Sequence, residues 1–336
     1  MAATGPVSIQ TLPVPLDRND PAREQVGALV WRGGVQLLSE SPGFGGYSGL
    51  RLLPDGRLLA VSDRGHWLAF RPVEDAGRLV GLAEAVQGPL PGKNGQPLNY
   101  PDYDAEALEV LPGAAGTMDI LVAFEQRHRI WRYAGPQPQS RPEQPFSQPP
   151  TTIDPTAPGD PASPDSVSLD HWLEGWPGRL PANAGLEAMA VSRTGAALLL
   201  AEGTGEGRLR LHADAPWVPI RYNSAPGFKP TDAVFLPVEG RHLALVLSRY
   251  FSILHGVAAT LELVDLERVE DGVLPGRLLA RLAPPISVDN MEGVAAAPAP
   301  TGETGWDIYL LADDNQNPLQ RTLLLKFRLP AAVVDP

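Results

Sequence analysis

The chain has 336 residues, with 34 glycines, 37 prolines, no cysteine and a formal net charge of −12. So acidic a surface repels nucleic-acid phosphates and anionic lipid, and the lack of thiols excludes disulfides, thiolate metal sites and a cysteine nucleophile. No run of about 18 apolar residues offers a membrane insertion, and residues 1–4 lack the basic start and apolar stretch of a signal peptide.

Taken in chain order, residues 7–16 and 28–39 read as strands that stand apart from the rest of the chain. From residue 48 onward one unit recurs: a small or acidic residue, then Gly or Ala, then an aliphatic residue. It occurs as Ser48-Gly49-Leu50, Glu106-Ala107-Leu108, Glu187-Ala188-Met189, Asp232-Ala233-Val234 and Glu292-Gly293-Val294. Each opens an apolar run with a strand's length and is followed by a turn, as in Leu53-Pro54-Asp55-Gly56 or Ser192-Arg193-Thr194-Gly195. A second apolar strand comes next, at 57–61, 119–124, 196–201, 242–247 and 306–311. Most units then have a third, at 129–133, 208–212, 260–264 and 322–327.

Short strands with frequent turn signals predict an all-β protein, and repetition of three- or four-stranded units predicts a β-propeller: a closed ring around a central channel. Five units are visible. The N-terminal strands either close the ring against the last blade or belong to a degenerate sixth blade, so the expectation is five or six blades. One domain is expected over residues 1–336. Residues 134–182, rich in Pro, Ser and Gln, read as an inter-blade insertion, either a lid over the channel or a segment without that role. The loop 88–102 is a second candidate to overhang the channel.

In a propeller the innermost strands line the channel, so a residue type repeated at their starts converges on the axis. Glu106, Glu187, Asp232 and Glu292 hold that position, with Asp104, Asn183, Asp289 and Asn290 beside them. Glu125, Glu202, Asp313, Asp314 and Asn315 come from the hairpins after them. Crowded carboxylates repel unless a proton or cation compensates, and carboxylates with Asn amides form a hard-oxygen set suited to Ca2+, with Mg2+ and Mn2+ as alternatives. The candidate metal ligands are Glu106, Glu187, Asp232, Asn290, Glu292 and Asp313. The competing reading has these acids accepting backbone N–H bonds between blades. Arg64, Arg127, Arg249 and Arg321 recur near the predicted mouth and match the oxygens of an anionic substrate, or else pair with the ring acids. His66 and His128 are the candidate proton carriers. Ser48 lacks the nucleophile-elbow spacing, because Leu50 stands where Gly is needed.

Six motifs in order resemble the phytase-like family, known for an esterase-like activity of phytase. They are Gly45-Gly46-Tyr47-Ser48-Gly49-Leu50, Ser62-Asp63-Arg64-Gly65, Asp104-Ala105-Glu106-Ala107-Leu108, Asn183-Ala184-Gly185-Leu186-Glu187-Ala188, Asp289-Asn290-Met291-Glu292-Gly293, and Asp313-Asp314-Asn315 with Gln320-Arg321-Thr322. The resemblance runs from about residue 44 to 327 and implies a propeller, usually exported in bacteria, and a phosphoester or carboxylester hydrolase. A periplasmic or secreted protein whose leader is not part of this sequence is therefore expected, with a cytoplasmic one as the alternative. The motifs differ from those of the calcium-dependent propeller phytases, so phytate is not carried over as substrate. The sequence reading is a metal-dependent hydrolase of a small phosphate or related anionic ester. Its alternatives are a non-catalytic binding propeller with a structural ion and a lactonase-like calcium-dependent hydrolase. Nothing in the sequence sets the oligomeric state.

Overall fold

The computed structural model describes residues 4–112, 118–134, 145–146, 185–252, 254, 256–315, 317 and 319–334. Four short or outer strands come first: β1 (Gly5–Pro6), β2 (Gln10–Pro13), β3 (Gln25–Val26) and β4 (Leu29–Leu38). Blade 1 contains β5 (Tyr47–Leu52), β6 (Leu58–Ser62), β7 (His66–Asp75) and β8 (Arg78–Pro89), with β1 on its outer edge. Blade 2 contains β9 (Ala105–Pro112), β10 (Met118–Phe124) and β11 (Arg129–Ala134). Blade 3 is β12 (Leu186–Val191), β13 (Ala197–Ala201), β14 (Glu206–Arg210) and β15 (Val218–Asn223). Blade 4 is β16 (Lys229–Phe235), β17 (Leu243–Ser252), β18 (Gly256–Asp265) and β19 (Val273–Leu282). Blade 5 is β20 (Asn290–Pro298), β21 (Trp306–Asp313) and β22 (Leu323–Leu329), and the N-terminal strand β4 pairs antiparallel with β22 as its fourth strand. The first and last parts of the described chain thus share one sheet. A short helix, α1 (Ala331–Val334), ends the described chain.

The ring closes because each blade buries both faces. Along β6, Leu58 and Ala60 join a core with Tyr309 and Leu311 of blade 5, whereas Leu59 and Val61 join one with Ile120 and Val122 of blade 2. Three further cores fill the gaps between blades 2 and 3, 3 and 4, and 4 and 5. Side chains alternate across a strand, so a strand sandwiched between two such cores must be apolar at every position. That explains the continuous Leu-Leu-Ala-Val and Ala-Leu-Leu-Leu-Ala runs of β6 and β13. Blades 3 and 4 are also joined at their outer edges by a parallel pairing of β15 with β19.

Every inner strand carries a one-residue bulge near its start. A bulge leaves its extra residue out of the ladder and turns that side chain off the sheet face. The five bulged residues are Ser48, Glu106, Glu187, Thr231 and Glu292. The residue after each is small in four blades, because inner strands crowd at the axis. A Cβ on Gly49 would lie 3.2 Å from the Leu108 Cβ, and one on Gly293 would lie 2.8 Å from the Leu50 Cβ.

Of the predicted insertion at 134–182, Pro145 and Phe146 are described, together with the backbone of Ala134; the rest, and Asn183, lie outside the described residues. Phe146 is buried against Trp67 and Tyr133, over the core between blades 1 and 2.

Candidate metal centre

The bulges and the ends of the second strands together build two stacked rings at one mouth of the channel. The first ring holds Ser48, Glu106, Glu187, Thr231 and Glu292. The second holds the residue at the far end of each inner hairpin: Asp63, Glu125, Glu202, Arg249 and Asp313. Backbone pairing fixes this correspondence. The Asp63, Glu125 and Glu202 amides donate to the carbonyls of Gly46, Asp104 and Gly185, while Arg249 pairs with Lys229 and Asp313 with Asn290.

Asp232 departs from the expectation. The bulge in blade 4 falls at Thr231, so Asp232 occupies the next position, which is Gly or Ala in the other blades. Its carboxylate is fully buried below the mouth and occupied by Arg51, with Nη1–Oδ2 at 2.9 Å and Nη2–Oδ1 at 3.0 Å. It also accepts the amides of Ala233 and Val294. Asp232 is therefore committed within the protein and is set apart from the ring. The reading of backbone-bonded acids holds for this residue.

Arg51 carries no repeat signal in the sequence. Its guanidinium donates to the carbonyls of Leu50, Met189, Ala233 and Val294 and to the carboxylate of Glu109, so the five blades among the described residues meet on it. A group within hydrogen-bond reach of five inner strands lies on the axis. The channel is therefore plugged below the carboxylate rings, and the site opens at one end.

Among the described residues, eight carboxylates gather at the mouth: Asp63, Asp104, Glu106, Glu125, Glu187, Glu202, Glu292 and Asp313. Burial, then the neighbouring charges of Asp104, Glu125 and Asp63, push the Glu106 carboxyl well above its ordinary range. Burial and the charges of Glu106, Glu125 and Glu292 do the same to Glu187. Glu292 is pushed up to about 8 by burial; Arg249 and Asn290 oppose the rise, and Asp313 and Glu202 add to it. Asp63 is pushed up to about 6, by burial first and then by Asp313 and Asp104 against Arg64. Arg249 is the main cation among them, with its Nε 3.1 Å from Glu292 and its Nη2 3.3 Å from Glu202. Lys229 also reaches Glu202, at 3.3 Å. Asp313 is partly neutralised by the amides of Gly46, Tyr47 and Asn315.

The donor set fits a divalent cation. One oxygen each from Asp104, Glu106 and Glu125 lies within 4.8 Å of the others. Oxygens on opposite sides of one Ca2+ stand up to about 5 Å apart, against about 4 Å for Mg2+, so the group admits calcium as it stands. The charge of Asp63 reaches the same group through Glu106, while its Oδ1 lies against Gly46 without a hydrogen bond.

The remaining predicted residues are dispersed. Asn290 is buried at the mouth, donating from its amide to Glu292 and accepting from Arg249. Arg64 stands loosely beside Asp63, at 4.0 Å. Arg127 is exposed and engaged by both oxygens of Asp102 at 3.2 Å. Arg321 lies at a cleft between blades 4 and 5, 3.5 Å from Asp289. His66 packs under Gly43, and burial holds its imidazole below the ordinary range. His128 packs against Gly185, next to Glu125. No helix among the described residues is long and apolar enough to cross a membrane.

The fold and mouth define a β-propeller with an acidic, one-ended axial site capable of holding a metal. The phytase-like family model, described as esterase-like activity of phytase, matches residues 42–316. The chain belongs to this family. Among solved structures it is similar to the PQQ-bound aldose sugar dehydrogenase of Streptomyces coelicolor, at 13% identity and a TM-score of 0.42, covering 96% of this chain and 99% of that one. It is also similar to the virginiamycin B lyase of Staphylococcus aureus, at 8% identity and a TM-score of 0.36, covering 96% and 100%. No curated protein sequence matches the chain.

Proposed function

We propose that the chain is a cation-dependent hydrolase of a small phosphate or related anionic ester, working at the carboxylate mouth. The observation that supports this reading is the convergence of Asp104, Glu106 and Glu125 oxygens within 4.8 Å. Those residues would hold the ion, with Glu187 as their buried neighbour. A divalent cation supplies polarisation of a phosphoryl oxygen and a lowered pKa for bound water. Arg249, on the inner face of the mouth, and Arg64, at its edge, would orient the anionic group and offset its developing charge. Glu292, pushed up to about 8, keeps a proton at neutral pH, and a protonated carboxyl can donate to a leaving oxygen. His66, held neutral by burial, suits that role less well.

The test is turnover of 4-nitrophenyl phosphate. Excess chelator should abolish it, and added Ca2+ or Mn2+ should restore it. Undiminished turnover in chelator rejects the reading. A melting temperature that depends on the metal, with no turnover across phosphate, carboxyl and lactone esters, replaces it with a binding propeller held by a structural ion.

A further inference from the structure

Beside the acidic mouth lies a cleft of ≈ 900 Å³ between blades 4 and 5, and its chemistry is the reverse of the mouth's. Among its described lining residues the cations outnumber the acids. Arg18 is exposed on its rim and has no ion-pair partner among the described residues. Arg321 lies close enough to feel the charge of Arg18, and its ion-pair partner among the described residues is Asp289, at 3.5 Å. Asp289 is itself engaged by the backbone amides of Asn290 and Arg321.

The local fold holds Arg18 there. The Arg18 amide donates to the Pro285 carbonyl, Ser287 bonds Pro15 and Leu16, and Asp17 bridges Ile286. An N-terminal segment bolted to the loop before β20 thus delivers a guanidinium without an ion pair to the wall of a cavity. Apolar side chains complete the lining. Phe251 is 65% exposed and lines the cleft with Val257, Ile286 and Val288. A large aromatic left bare on a concave wall beside unbalanced guanidiniums is a site waiting for a ligand with two ends.

We infer that this cleft binds an anion carrying an apolar body, with its phosphoryl or carboxyl group on Arg18 and Arg321 and its apolar part on Phe251 and Val257. Two guanidiniums suit one monoester-sized anion rather than a polyphosphate. Arg249 and Asn290 line both the cleft and the mouth, so a ligand seated here lies next to the carboxylate rings. As the place where substrate enters, the cleft rests on the proposed hydrolase activity; as a binding site it stands without it.

The experiment is calorimetric titration of the full chain with phenylphosphonate and with inorganic phosphate. It is run on protein stripped of metal with chelator and then dialysed free of it, so that neither metal, turnover nor the chelator's own carboxylates enter the result. Phenylphosphonate should bind about tenfold more tightly than phosphate, the gain expected from burying part of a ring. Arg18→Gln alters an exposed side chain with no ion pair to lose among the described residues, and it should weaken both ligands several-fold. Adding Arg321→Gln should weaken them further. Phe251→Ser should erase the preference for the phenyl compound and leave phosphate binding unchanged. Equal affinity for the two ligands, binding indifferent to Arg18→Gln, or no binding of either would overturn the inference. Loss of ester turnover with intact phenylphosphonate binding would instead count against the hydrolase alone.

Discussion

Arg51 and Asp232 form a two-pronged ion pair on the propeller axis, with side chains 3% and 0% exposed. The pair comes from blades 1 and 4, which are not sequential neighbours, and Glu109 of blade 2 completes it at 3.2 Å from the Arg51 Nε. Removing one partner of a buried pair leaves an uncompensated charge and costs about 3–5 kcal/mol. Arg51→Met should therefore destabilise the protein by that order, because it strands both Glu109 and Asp232. The triple variant Arg51→Met, Glu109→Gln, Asp232→Asn should recover a large part of the loss. Urea unfolding checks both; an Arg51→Met variant within about 1 kcal/mol of the parent would refute the axial role.

The same geometry separates two acids that look alike in the sequence. Glu187→Gln removes a carboxylate from the crowded ring, so in chelator the protein should become more stable and its Ca2+ affinity should fall. Asp232→Asn should act oppositely, lowering stability while leaving the Ca2+ affinity of the folded protein near the parent value. Ligand saturation at 100 times Kd adds about 2.7 kcal/mol. Melting curves with and without Ca2+ therefore read both quantities from one sample.

Asp232 also shows why the site is only partly legible in the sequence. The repeated unit is an acid before Ala or Gly, a rule that places Glu106, Glu187 and Glu292 in the ring. In blade 4 Asp232-Ala233 imitates the pattern one residue late, and the bulge falls at Thr231. The Thr231 bulge leaves Asp232 in the ladder with its carboxylate on Arg51 of blade 1 and the Val294 amide of blade 5, and contacts between blades are a tertiary property that no local pattern records. Arg51 escapes notice for a related reason. Its equivalents in the other blades are Glu109, Ala190, Val234 and Ala295, so no repeat marks it. The fold is easier to read because burial on both faces of each blade writes unbroken apolar runs into the sequence. The fourth strands β8, β15 and β19 alternate buried with exposed positions and carry no such run. Closure of the last sheet by residues 28–39 is one of the two readings the sequence admits, and β4 pairs with β22.

The raised carboxyls give the metal-free protein an unusual pH dependence. Glu292, at about 8 in the fold and about 4.3 when unfolded, favours the folded state in its protonated form. Its contribution is complete below the unfolded value and is lost as pH rises through 8. Asp63, pushed up to about 6, contributes in the same direction over a lower window and by less, because its side chain is 43% exposed and screened by solvent. In chelator, urea midpoints should therefore fall between about pH 5 and pH 8, by at most about 1.4 kcal/mol per pH unit for each proton involved. Saturating Ca2+ should oppose the trend, because its ligands must be ionised to bind. A midpoint that rises with pH in chelator would show that the carboxylates are already compensated within the protein.

Stability and the site come apart at Lys326. Its side chain is fully buried and held by Glu74 at 2.7 Å and Asp307 at 2.9 Å, and Asp307 also carries Arg328. Asp307 thus serves two buried cations, whereas Lys326 serves two acids that have other partners: Arg328 for Asp307, and the Tyr309 hydroxyl for Glu74. Asp307→Asn removes the one buried carboxylate the two cations share and leaves Lys326 to the partly exposed Glu74 and Arg328 to the half-exposed Glu303, and it should cost more than Lys326→Met, which replaces the stem with apolar volume. Neither residue is among those that build the carboxylate mouth. Both variants, measured below their melting temperatures, should therefore keep the parent Ca2+ affinity while their unfolding midpoints fall in the order parent, Lys326→Met, Asp307→Asn. The reverse order would mean that the lysine, rather than the aspartate, is the centre of this network.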